Sequence, residues 1–111
     1  MSRDEQERLR DIQDAISSIR RHLAQAGETA AAREDQFLND ALLFQFVVIG
    51  EAVEHLSQET RESAPGIPWA DVLRDLIAHE YFRIDIRRVL EIVEQDLPRL
   101  EEAINHLLSQ T

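Results

Sequence analysis

Apolar residues recur along this chain at helical intervals, and no strand-like alternation competes with them. In the first segment Leu9, Ile12, Ile16, Ile19 and Leu23 follow one another at steps of 3, 4, 3 and 4, with Arg, Asp and Gln on the opposite face. This stripe predicts a helix over residues 4–25, with Gly27 placed to end it. Between Ala26 and Glu34 the pattern is ambiguous, because Thr29 suits a helix cap while the alanines of 30–32 would merely extend a helix.

The second helix carries Phe37, Leu38, Ala41, Leu42, Phe44, Val47, Val48, Ile49, Ala52, Val53 and Leu56, which cover more than one face. A helix of that kind is either touched on several sides or presents a subunit interface. It is expected to run to about Ser63, where Pro65, Gly66 and Pro68 force a turn. A short third helix is expected from Trp69 to His79 or Tyr81, with Val72, Leu73, Leu76 and Ile77 on its apolar side. Asp85 is placed to cap a fourth, in which Val89, Leu90, Val93, Leu97, Leu100, Ile104 and Leu107 keep helical spacing. Pro98 falls inside that run and predicts a kink near Asp96. The elements make an all-α bundle of four helices, or five if Pro98 divides the last.

Composition narrows the picture. The 111 residues fit one domain, 1–111, long enough to bury roughly two-thirds of its unfolded surface without staples. There is no Cys, so a zinc site would have to come from four His and the carboxylates, and no metal or other cofactor is expected. The charged start MSRDEQERLR predicts no secretory or transit segment, and no apolar run approaches a membrane span; the expectation is a soluble, cytoplasmic protein. A net charge of -10, from 12 basic and 22 acidic side chains, argues against a broad surface for duplex DNA.

One stretch departs from the acidic background. The run RDLIAHEYFRIDIRR, residues 74–88, holds four of the twelve Arg, one of the four His and the only Tyr. It combines a local excess of Arg with a His, the side-chain type that titrates near neutrality. Arg74 and His79 stand five positions apart, so on a regular helix they differ by about 140° and about 7.5 Å along the axis. They could therefore flank one phosphate from two sides, or a second subunit could complete the site. The residues equally allow a bland reading, with Arg74 paired to a carboxylate, His79 bonded to a carbonyl and Tyr81 packed on Phe82. Glu51, beside Gly50, either pairs with an Arg of the cluster or faces solvent.

The order Arg74, four residues, His79, one residue, Tyr81 resembles the R-x4-H-x-Y motif of HEPN-domain toxins of the HepT type. The likeness extends over nearly the whole chain, through Ile49-Gly50-Glu51-Ala52, Ile67-Pro68-Trp69, Tyr81-Phe82 with Ile84-Asp85, and Glu94-Gln95-Asp96-Leu97-Pro98. Trp69 stands closer to Arg74 than in the family pattern. The resemblance implies an antiparallel HEPN bundle that works as a homodimer, and the toxin of a bacterial toxin–antitoxin pair. It implies a metal-independent endoribonuclease with Arg74 and His79 as catalytic residues, Asp75 supporting them, and a minimal nucleotidyltransferase as antitoxin. Tyr81 would then accept AMP from that partner, which silences the toxin.

Arg83, Arg87 and Arg88 would extend a phosphate track along the start of the fourth helix, or else pair with Asp85 and Glu91. The alternative function is a non-catalytic, nucleotide-binding or accessory subunit of a nucleotidyltransferase. Charge arithmetic sharpens both readings. Residues 74–88 carry four Arg against Asp75, Glu80 and Asp85, a net of +1, which leaves -11 on the remainder. RNA would be repelled everywhere except at the motif.

Overall fold

The computed structural model describes residues 2–27, 36–64, 66–72, 74 and 86–110, with the backbone alone at 36 and 86–89. The described elements are all helical: α1 (Arg3–Ala26), α2 (Gln36–Glu54), α3 (Gln58–Glu62), a helical stretch over 69–72 and 74, and α4 (Ile86–Ser109).

α1 starts where Ser2 can cap it. The Ser2 hydroxyl accepts the Glu5 N–H at 3.1 Å, and Asp4 and Glu5 place negative charge at the positive end of the helix dipole. It ends where Gly27 takes φ +75°, and the Gly27 N–H closes on the Leu23 carbonyl at 3.1 Å. These bounds match the sequence expectation to within a residue. Leu9, Ile12, Ala15, Ile16 and Ile19 form its buried face.

That face meets Leu38, Leu42, Phe46, Ile49, Ala52 and Val53 of α2, and Ile92, Leu97, Leu100, Ala103, Ile104 and Leu107 of α4, in one core. Two polar contacts across α1 and α4 fix their relative direction. Gln13 donates to Asn105 at 2.9 Å and Arg20 pairs with Glu101, so partners run in opposite order along the two helices, which are antiparallel. α4 passes through Pro98 as a single helix, so the division allowed for at that residue does not occur.

The fifth helix arises elsewhere. The second helix was expected to continue to about Ser63, but it stops at Glu54 and α3 begins at Gln58. The local bonds explain the break. The His55 N–H is shared between the Glu51 and Ala52 carbonyls, at 3.3 and 3.2 Å, and the Leu56 N–H turns back to Val53 at 3.1 Å. The final turn is thereby tightened and closed. Ser57 then caps α3, its hydroxyl accepting the Thr60 N–H at 3.1 Å. In a local capping box, a Glu or Gln at position 60 would accept the Ser57 N–H. Thr stands there, and the acceptor comes from 52 residues away: Glu5 Oε1 takes the Ser57 N–H at 2.6 Å, while Oε2 takes the Thr60 hydroxyl at 3.0 Å.

α2 also differs from expectation in which residues it buries. Phe46, absent from the expected apolar set, is 1% exposed at the centre of the core, whereas Phe44 is 63% exposed and Phe37 and Val47 are also exposed. Among the described residues, Phe37, Phe44 and Val47 are thus the large apolar side chains that α2 leaves exposed. Among the described residues no helix is long and apolar enough to cross a membrane.

Two outcomes follow for stability. Phe46→Ala empties a fully buried site and is expected to cost about 3–5 kcal/mol in urea unfolding, whereas Phe44→Ala should cost less than about 1 kcal/mol; equal costs would contradict this packing. The hydrogen bond from the Ser57 backbone, then those from the Ser57 and Thr60 side chains, hold the Glu5 carboxyl below its ordinary value of 4.5. A carboxyl lowered in the folded state stabilises it fully above that value, and the contribution disappears as pH falls through the folded pKa. The stability gap between wild type and Glu5→Gln should therefore be full at pH 7 and shrink progressively below about pH 4.5. A gap independent of pH would show that the ionised carboxylate is not the acceptor.

Candidate functional site

The approach to the motif is built by three residues before it. Gly66 takes φ +144°, a conformation that side-chain-bearing residues avoid, and Ile67 and Pro68 carry the chain to the next helix. Pro68 has no N–H to lose at a helix start, and its carbonyl accepts the Val72 N–H at 3.0 Å, the first bond of the helical stretch. Trp69 opens that stretch, as the sequence predicts. Its ring packs against the core and its indole N–H donates to the Arg61 carbonyl at 2.9 Å.

Val72 fixes the rotation of this segment, being buried in the core. Two residues further along a helix lies about 200° around the axis, on the opposite side. Arg74 accordingly faces solvent, with its side chain 72% exposed. Its guanidinium lies 3.3 Å from Asp71, itself 61% exposed, in a contact between residues three apart. The bland expectation that Arg74 pairs with a carboxylate is met in this limited sense, by a residue not anticipated from the sequence. Spacing of three along a helix was the available signal.

The remaining motif residues fall elsewhere. Asp75, His79, Tyr81 and Arg83 lie outside the described residues, as do Thr29, Asp85 and the end of the third helix. α4 begins at Ile86, which puts the backbone of Arg87 and Arg88 in its first turn; their side chains lie outside the described residues. Glu51, a candidate buried charge from its place beside Gly50, is exposed on α2. Among the described residues no group of three or more His, Asp or Glu is placed to hold a metal ion.

What this arrangement can do is limited but definite. An exposed guanidinium held to an exposed carboxylate, five residues after a Trp anchored at the edge of the core, can exchange that carboxylate for a phosphate at little cost. An all-α bundle presenting such an Arg after a Pro-Trp helix start is of a class that family comparison places. The model described as "Ribonuclease HepT-like" matches residues 12–107, and the chain belongs to this family.

Individual relatives agree in extent. A gamma-glutamylcyclotransferase and candidate RNase of Methanocaldococcus jannaschii is 35% identical over 77 residues, which are 68% of this chain and 35% of that protein. The chain thus spans about a third of that relative's length. A candidate RNase of Caldanaerobacter subterraneus subsp. tengcongensis is 33% identical over 79 residues, 69% of this chain and 70% of its own. A protein of Thermococcus cleftensis named "Probable ribonuclease HepT" is 29% identical over 105 residues, 91% of this chain and 93% of its own. No solved structure matches the chain.

The Asp71 contact is exposed on both sides, where such pairs contribute about 0–1 kcal/mol. Asp71→Asn should therefore change the urea unfolding free energy by less than about 1 kcal/mol. A larger loss would mean that Arg74 is committed to Asp71 and is not available to a ligand.

Proposed function

We propose that this protein is the RNA-cleaving toxin of a bacterial toxin–antitoxin pair, with Arg74 and His79 as its catalytic residues. The observation that carries the reading is Arg74 itself: it opens an R-x4-H-x-Y motif, faces solvent, and among the described residues pairs with one exposed carboxylate that a phosphate can displace. Membership of the HepT-like ribonuclease family and the RNase names of the relatives support it.

RNA brings its own nucleophile. The 2′-oxygen attacks the adjacent phosphorus, the bond to the 5′-oxygen breaks, and the products are a 2′,3′-cyclic phosphate and a free 5′-hydroxyl. His79 removes the 2′ proton or delivers one to the leaving oxygen, a task suited to a group titrating near neutrality. Arg74 donates to the non-bridging oxygens, whose charge grows in the transition state. Asp75 orients one of these two side chains. Arg83, Arg87 and Arg88 carry the flanking phosphates. No metal or other cofactor takes part in these steps.

Two partners belong to the proposal. A second copy of the chain would bring a second motif, and the exposed Phe44 and Val47 side chains of α2 favour self-association. A minimal nucleotidyltransferase would transfer AMP to the Tyr81 hydroxyl, releasing pyrophosphate from ATP. The added phosphate and nucleoside beside Arg74 would occupy the anion site and exclude RNA.

The test uses unmodified, partner-free protein in the presence of a chelator. Wild type is expected to cleave RNA, and Arg74→Ala and His79→Ala to lose at least about a hundredfold in rate with unchanged circular dichroism. Intact mass after co-expression with the nucleotidyltransferase should show AMP additions that disappear in Tyr81→Phe. If wild type binds nucleotide through Arg74 yet cleaves no RNA, the toxin reading fails and an accessory, nucleotide-binding subunit replaces it.

A further inference from the structure

Three elements converge on one residue outside the motif. Arg61 lies in α3, and its Nη2 donates to the Val53 carbonyl at 2.8 Å and to the Glu54 carbonyl at 3.1 Å, closing the carboxyl end of α2. Its own carbonyl accepts both the Ala64 N–H at 3.2 Å and the Trp69 indole N–H at 2.9 Å. The side chain of Arg61 thus reaches back to α2 while its backbone reaches forward to the start of the motif helix. Arg61 Nε is buried and has no hydrogen-bond partner, so the side chain is held through its outer nitrogen, Nη2.

The polar contacts do what apolar packing alone would not. Val72 and the Trp69 ring bury this segment against the core, but apolar contact is non-directional and permits sliding along the helix axis. A part-buried N–H aimed at one carbonyl fixes the axial position, because an indole donor left without a partner at the edge of the core is costly. The arrangement also bears on the short separation between Trp69 and Arg74. With Trp69 pinned five residues before Arg74, the reach from anchor to guanidinium is about 7.5 Å of helix rise. Little slack remains between the two.

We propose that Arg61 and Trp69 form a positioning brace, which sets where Arg74 stands by tying the start of the motif helix to the carboxyl end of α2. The proposal rests on Arg74 as a residue of the RNA site, and neither Arg61 nor Trp69 touches substrate. Trp69→Phe removes the donor and keeps an aromatic ring. Arg61→Ala removes the side-chain bonds, and Arg61→Lys keeps a donor for one α2 carbonyl.

The experiment combines three readouts on full-length protein at a temperature well below unfolding. In Trp69→Phe, amide exchange over residues 69–74 should accelerate at least tenfold while exchange in α1 is unchanged. The kcat for RNA cleavage should fall about tenfold with KM little altered. In Arg61→Ala the emission of Trp69, the only Trp in the chain, should shift to longer wavelength, and Arg61→Lys should restore at least half of that shift and of the lost kcat.

A merely structural role predicts a lower melting temperature with exchange over 69–74 and kcat both unchanged, and that outcome overturns the brace. If Arg61→Ala does not fold, Trp69→Phe and Arg61→Lys carry the test. Should wild type cleave no RNA, the toxin reading fails by itself, while exchange and emission still decide whether the brace holds this helix start.

Discussion

Where the chain leaves α2, the Ser57 N–H and the Thr60 hydroxyl need an acceptor that no nearby residue supplies. Glu5 supplies it from the first turn of α1. The same residue stands three after Ser2, and its own N–H is the one that the Ser2 hydroxyl accepts at the start of α1. One residue therefore joins the amino-terminal caps of two helices: Ser2 holds its N–H, and its carboxylate completes the cap at Ser57, 52 residues away. Remove it and α3 loses its fixed origin. Since Arg61 lies in α3 and holds the Trp69 indole, the placement of the motif helix depends on that origin as well.

Much of this was legible in the residues, and the parts that were not share a cause. The bounds of α1, the Gly27 stop and the helix start at Trp69 come from local signals: a one-sided stripe, a left-handed Gly and a preceding Pro. The break at 55–57 has no such marker, since His-Leu-Ser contains neither Gly nor Pro, and the acid that stabilises it is far away in sequence. Local windows cannot see a cap completed by a distant helix. Phe46 and Phe44 fail for a different reason. When apolar residues cover more than one face, periodicity has no single phase, and the core side is decided by the neighbours that arrive. Of the candidate site, the exposure of Arg74 is now placed, whereas His79 and Tyr81 stand on the motif alone.

The distribution of charge fits a local site on an otherwise repelling surface. Three described Arg side chains pair with carboxylates, Arg3 with Glu7, Arg20 with Glu101 and Arg74 with Asp71. Such pairs neutralise cations that would otherwise attract polyanions indiscriminately. With residues 74–88 at +1 and the remainder at -11, a phosphate chain would find its favourable contacts only along the motif, and excess acid elsewhere limits non-productive binding.

Arg74 and Trp69 divide the work between mobility and fixity. To bind a phosphate, Arg74 must leave Asp71, and because that pair is exposed the exchange costs about 1 kcal/mol or less. A charge-assisted, two-pronged contact with phosphate exceeds this. Under the proposed function the helix start beneath it cannot be equally free, since a guanidinium displaced by even an ångström from a reacting phosphate loses much of its advantage. The structure resolves the two demands at different depths. The head of Arg74 is held weakly at the surface, while five residues earlier a directional bond at the edge of the core holds the backbone from which it projects.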